Sequence, residues 1–80
     1  MPRYFIDIHD GATHVKDTVG FDLPDPDAAR ARLVQIMRRV AEGFDPANDR
    51  HDYLAVVRDD ARRVVFRAHL SLDIEAVGAP

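Results

Sequence analysis

The sequence predicts an α+β domain: one antiparallel sheet, with a single amphipathic helix packed on one face, in the order β-β-α-β-β. Three observations carry this. From Val64 to Glu75 apolar and polar residues alternate, with Val64, Phe66, Ala68, Leu70, Leu72 and Ile74 on one side and Arg67, His69, Ser71, Asp73 and Glu75 on the other. A period of two marks a strand with one dry and one wet face. Ala29, Leu33, Ile36, Val40 and Phe44 recur at helical spacing, with Met37 on the flank. Asp10-Gly11 and the stretch Asp59 to Arg62 supply two turns, which make two hairpins around the helix.

Each element has a local reason. Arg3 to His9 alternates Tyr4, Ile6 and Ile8 against Phe5, Asp7 and His9. Phe5 makes the second side partly apolar, so this strand is expected to have one buried and one semi-covered face. The Asp10-Gly11 turn uses glycine's tolerance of positive φ, and Thr13 to Asp17 then reads as a weaker, more polar strand. Val19, Phe21 and Leu23 continue a short alternation, with Gly20 marking a bulge or bend. Asp25 is placed to N-cap the helix, Pro26 suits its first position, and Asp27 puts negative charge at the positive end of the dipole. Gly43 is the expected C-cap, and Asp45 to Asp52 reads as a loop. Tyr53 to Arg58 is then a third strand and Arg63 onward a long fourth one.

Composition bounds what such a chain can be. Eighty residues make a single domain, expected over 1–77 with a loose tail at 78–80. Hydrophobic residues at 46% can form a core. The absence of cysteine removes disulfides and thiolate metal sites as staples. A net charge of −3 argues against nucleic acid as a general partner. No apolar run approaches the roughly 20 residues that cross a bilayer. In the N-terminal stretch Asp7 interrupts what would be a signal peptide's apolar core. A cytoplasmic protein, without a membrane partner, is the expectation.

Candidate chemistry is sparse. The 4 histidines are His9, His14, His51 and His69. The Asp10-Gly11 hairpin could bring His9 and His14 together, with Asp7 or Asp10 adding a carboxylate, but the spacing matches no zinc pattern. Solvated strand and turn histidines are the plainer reading. Arg30, Arg32, Arg38 and Arg39 make the outer side of the helix basic. They would suit the phosphates of RNA or DNA, yet Asp25, Asp27 and Glu42 balance them, as on an ordinary solvated helix face. Asp7, Asp10 and Asp17 have no evident cleft in so small a domain, and Ser71 lies in a strand without a nucleophile elbow. No catalytic residue, metal site or cofactor is assigned.

The last strand is different. At about 3.3 Å per residue it would span roughly 40 Å, about twice the usual strand length. Paired only with Tyr53 to Arg58, its second half would overhang with Leu70, Leu72 and Ile74 as an apolar row. Exposed apolar strands invite another chain, although this half could also fold back within one subunit.

Several pieces carry a family resemblance: Pro2-Arg3-Tyr4-Phe5, His9-Asp10-Gly11, Asp17 and Gly20 ahead of Leu23-Pro24, Ala28-Ala29-Arg30, and Val57-Arg58-Asp59 with Val64 to Leu72. With these the chain resembles a family of short bacterial proteins, common in alphaproteobacteria and known only as a domain of unknown function. The resemblance spans nearly the whole chain and implies no activity. Arg62 stands where members tend to carry the turn glycine, which implies a longer or looser turn here. Residues 3–42 are also similar to antitoxin-like modules with a partial ribonuclease-H-type sheet, through Leu23-Pro24 and Ala28-Ala29, although the glycine usual after Leu-Pro is missing. That likeness implies a binding role.

The expected function is thus a non-catalytic protein-interaction module, a homodimer formed through Leu70, Leu72 and Ile74. The alternative is a small regulatory or antitoxin-like protein that binds RNA or a protein partner through Arg30, Arg38 and Arg39. A metal enzyme around His9, Asp10 and His14 comes third.

Overall fold

Alternation along the first strand, β1 (Arg3–Asp10), turns Tyr4, Ile6 and Ile8 toward one face and Phe5, Asp7 and His9 toward the other. In the computed structural model, which describes residues 1–11 and 13–78, β1 is flanked on one side by two short strands. These are β2 (Thr13–Val15) and β3 (Phe21–Asp22). After the helix α1 (Pro26–Glu42) come β4 (Arg50–Arg58) and β5 (Val64–Asp73). The sheet runs β2-β1-β4-β5, all antiparallel, with β3 pairing the start of β1 through Arg3↔Asp22 and Tyr4↔Phe21.

This is the α+β architecture expected, with one strand more. Of the alternation Val19, Phe21, Leu23, only Phe21 lies in a strand; Val19 is 74% exposed and Leu23 is buried just beyond it. The Leu23 N–H donates to the Pro2 carbonyl at 3.0 Å, which ties this segment to the start of β1.

Helix α1 begins and ends as its sequence dictates. The Asp25 carboxylate accepts the Ala28 N–H at 2.8 Å, and Pro26 occupies the first turn, where no intrahelical N–H partner is needed. Gly43 closes the helix by donating to the Arg39 and Val40 carbonyls. Phe44 falls outside the helix and stacks on His51 of β4, ring centroids 4.1 Å apart.

The helix lies over β4 and β5. Its buried residues, Ala29 and Leu33, meet Tyr4, Ile6, Ala55 and Val57, with Ile8, Ile36, Met37, Phe66 and Ala68 packed around them. Small side chains at Ala29 and Ala55, both fully buried, let helix and sheet approach closely.

The hairpin of β4 and β5 corrects one expectation. The second half of β5 does not overhang. Strand β4 starts at Arg50, inside the segment read as a loop, and pairs with β5 from Arg50↔Asp73 to Val57↔Phe66 before a bulge shifts Arg58 onto Val64. Arg50 and Asp52 resemble loop residues because their side chains lie on the wet face. There they meet β5 partners, Arg50 with Asp73 at 3.4 Å and Asp52 with His69 at 2.5 Å.

The β4–β5 turn is also tighter than the resemblance implied. Asp59 N–H donates to the Arg63 carbonyl at 2.9 Å and Arg62 N–H to the Asp59 carbonyl at 3.0 Å. Arg62 itself takes φ 65°, the left-handed conformation a glycine would adopt there without steric cost. Of the expected tail, Ala79 and Pro80 lie outside the described residues.

Candidate functional site

The side of the sheet away from the helix carries a buried carboxylate. Asp7 of β1 is 7% exposed and accepts Arg58 Nε at 2.8 Å, Arg58 Nη2 at 3.2 Å and the Asp17 N–H at 2.9 Å. Burial alone pushes the Asp7 carboxyl upward. The Arg58 guanidinium and the Asp17 N–H outweigh it and hold Asp7 below the usual carboxylate range.

Between β2 and β3, where among the described residues no strand pairs with this edge of β1, the Asp17 carboxylate takes the part of one. It accepts the Ile6 N–H at 3.1 Å and also the N–H groups of Val19 and Gly20. Arg58 reaches over the Phe5 ring, 5.2 Å from its centroid, to complete the arrangement. This is the semi-covered face that Phe5 foretold. The role of Arg58 was not, because its charge partner lies 51 positions away in the chain. These bonds join β1, β4 and the Asp17 segment, so the group fastens the fold.

The histidines do not converge. His9 and His14 face each other across the first hairpin, as expected, but their rings stack in parallel with centroids 3.9 Å apart and planes at 13°. That places ring faces together and does not aim two nitrogen lone pairs at one point. His51 stacks on Phe44, and His69 bonds to Asp52. Among the described residues no three His, Cys, Asp or Glu side chains form a group able to hold a metal ion.

The arginines divide between two sides of the helix. Arg30 and Arg38 flank a groove against β5, whereas Arg39 lies with Arg32, Phe21, Gln35 and Ile36 around a smaller recess. Arg32 stands over the Phe21 ring at 4.8 Å.

An apolar groove runs between α1 and β5. It measures about 550 Å³ and is walled by Leu33, Val34 and Met37 of α1 and by Phe66, Ala68 and Leu70 of β5. Leu72, 38% exposed, and Ile74, 54% exposed, prolong the apolar row past its end.

Alongside runs the outer edge of β5. Ile74 N–H donates to the Asp49 carbonyl at 2.8 Å, and the register stays unbroken from there to Phe66. In an antiparallel ladder N–H and C=O of one residue point the same way and alternate along the strand. The backbone groups of Phe66, Ala68, Leu70 and Leu72 therefore face β4, and those of Arg67, His69, Ser71 and Asp73 face outward. Among the described residues no strand pairs with that side. Leu70, Leu72 and Ile74 thus lie together on the helix side of an edge strand, one of them in the groove wall.

With this geometry in place, comparison with known proteins adds one finding. Residues 3–71 match the model of the family described as Domain of unknown function (DUF6894). The chain belongs to that family. The matched span takes in the helix, the first four strands and β5 as far as Ser71. No curated protein and no solved structure matches the chain. Among the described residues, no helix is long and apolar enough to cross a membrane.

Proposed function

We propose that this DUF6894 domain is a non-catalytic protein-interaction module that associates with itself along the free edge of β5. One contrast carries the reading. The opposite edge of the sheet is blunted, since β2 has 3 residues and β3 has 2. The β5 edge is 10 residues long and contains neither lysine nor proline, and its two charges, Arg67 and Asp73, are of opposite sign, so they do not repel a second copy as a row of like charges would. An apolar groove beside it supplies the surface that strand addition buries.

Light scattering at tens of micromolar tests this. The expected mass is twice the 9.0 kDa of one chain. Ser71→Pro removes an outward N–H that β4 does not use, so it should shift the protein toward monomer while circular dichroism still reports a folded chain. A monomeric parent protein would end the proposal.

Arg30 and Arg38 on the groove rim favour a second reading, a regulatory module of antitoxin-like kind that takes an acidic segment of a protein or an RNA. In that case Arg30→Glu with Arg38→Glu would abolish binding of polyanions such as heparin or RNA, whereas association along β5 would persist.

A further inference from the structure

We infer that the groove is filled by a second copy of this chain, joined strand to strand in the antiparallel register that sets Leu70 opposite Leu70. This rests on the self-association reading and specifies its geometry. The backbone limits the choices first. Only Arg67, His69, Ser71 and Asp73 offer outward N–H and C=O groups, so hydrogen-bonded pairs between copies must join odd-numbered residues. A twofold axis then falls at a residue and not between residues; axes at Arg67 and Ala68 would set Arg67 against Arg67 or His69 of the second copy, which leaves His69, Leu70 and Ser71.

Charge decides among these. With the axis at His69, His69 opposes itself and Arg67 meets Ser71, so no opposite charges pair. With the axis at Ser71, His69 meets Asp73 but is already bonded to Asp52 in its own chain, and Arg67 meets Glu75, which lies beyond the strand's end at Asp73. With the axis at Leu70, Arg67 opposes Asp73 of the second copy, both residues lie within the strand, and symmetry repeats the pair. Asp73 is 66% exposed beside Arg50, which leaves its carboxylate room for a second cation.

The same register accounts for the groove. It sets Ala68 opposite Leu72 and Phe66 opposite Ile74 of the second copy, all on the helix side. Ala68 is small and lies in the groove wall, so the larger Leu72 side chain of the other copy enters beside it. Leu72 and Ile74, exposed in one chain, are thereby covered, and Val34, 45% exposed, borders the joined surface. The two four-stranded paths become one continuous sheet with both helices on the same side.

Because the chain has no cysteine, single substitutions report the register directly. Residues facing each other in a non-hydrogen-bonded pair have Cα atoms about 4.5 Å apart, within disulfide range. One step away on each strand, the same residue in the two copies would be roughly 8 Å from itself, beyond the limit of about 7 Å. Under mild oxidation Leu70→Cys should convert to a covalent dimer that a thiol reductant cleaves, while His69→Cys and Ser71→Cys stay monomers on a denaturing gel. A mixture of Ala68→Cys and Leu72→Cys chains, which keeps Leu70, should cross-link where neither does so alone. Arg67→Glu should weaken the dimer roughly tenfold, and adding Asp73→Arg should restore it. Cross-linking at Ser71 or His69 in place of Leu70 would overturn this register while leaving self-association standing. A monomer by light scattering would overturn both.

Discussion

Removing the Asp7 carboxylate is the severest single test of how this fold is held. Asp7→Ala leaves the Arg58 guanidinium facing Phe5 and the Asp17 loop with its bidentate partner gone, and it also frees the Asp17 N–H. Breaking a buried pair from one side costs about 3–5 kcal/mol. The Arg58 side chain keeps 17% of its surface exposed, so water recovers part of the loss and the low end, about 3 kcal/mol, is expected. A chain of 80 residues has a total stability of about 4–12 kcal/mol. The variant should therefore melt of order 10–20 °C lower, and urea unfolding followed by circular dichroism measures the difference. Adding Arg58→Met should recover most of it, since the stranded charge then disappears. A cost under about 1 kcal/mol would refute the reasoning, because Arg58 would then be finding equivalent partners in solvent. The pH dependence has a definite sign. The Asp7 carboxyl is held below its unfolded value of about 3.9, so its contribution is complete above that pH and is lost as pH falls through the lower folded value. The gap between parent and Asp7→Ala should accordingly close in acid.

Other substitutions probe separate elements. Gly20 has φ +82°, and an added Cβ would lie 2.8 Å from Arg3 Cγ and 3.0 Å from Phe5 Cε1. Gly20→Ala should thus cost more than about 1 kcal/mol and speed hydrogen exchange at the Ile6 amide, which the neighbouring Asp17 carboxylate protects. Arg62→Gly removes a side chain from a left-handed residue and should stabilise by about 0.5–1 kcal/mol in thermal melts. Leu33→Ala, at a site 5% exposed, should cost about 2–5 kcal/mol in urea titration. Phe66→Ala should cost less in dilute protein, because Phe66 is half-buried at the groove; the opposite order would mean that the helix covers a different part of the sheet.

Features within reach of neighbouring residues were legible in advance. Asp25, Pro26 and Gly43 announced both ends of α1, because capping depends on groups a few positions apart. Asp10-Gly11 announced the first hairpin and its His9–His14 pairing. The alternation at Val19, Phe21 and Leu23 was visible, but Phe21–Asp22 as a separate strand on β1 was not, since two residues carry too little pattern to stand out. Nor was the start of β4, where Arg50 and Asp52 are polar for want of a second dry face. Arg62 shows the reverse case, a turn whose geometry survives a residue that does not favour it.

From its sequence alone this protein is an α+β domain with an amphipathic helix and an unusually long final strand, because side-chain periodicity reports which face of each element avoids water. Only the tertiary structure decided that β5 lies at the rim of the sheet, that its outward backbone groups belong to Arg67, His69, Ser71 and Asp73, and that Arg58 closes over Asp7. Strand order and the meeting of distant charges depend on how the whole chain packs, and no local pattern of residues encodes them.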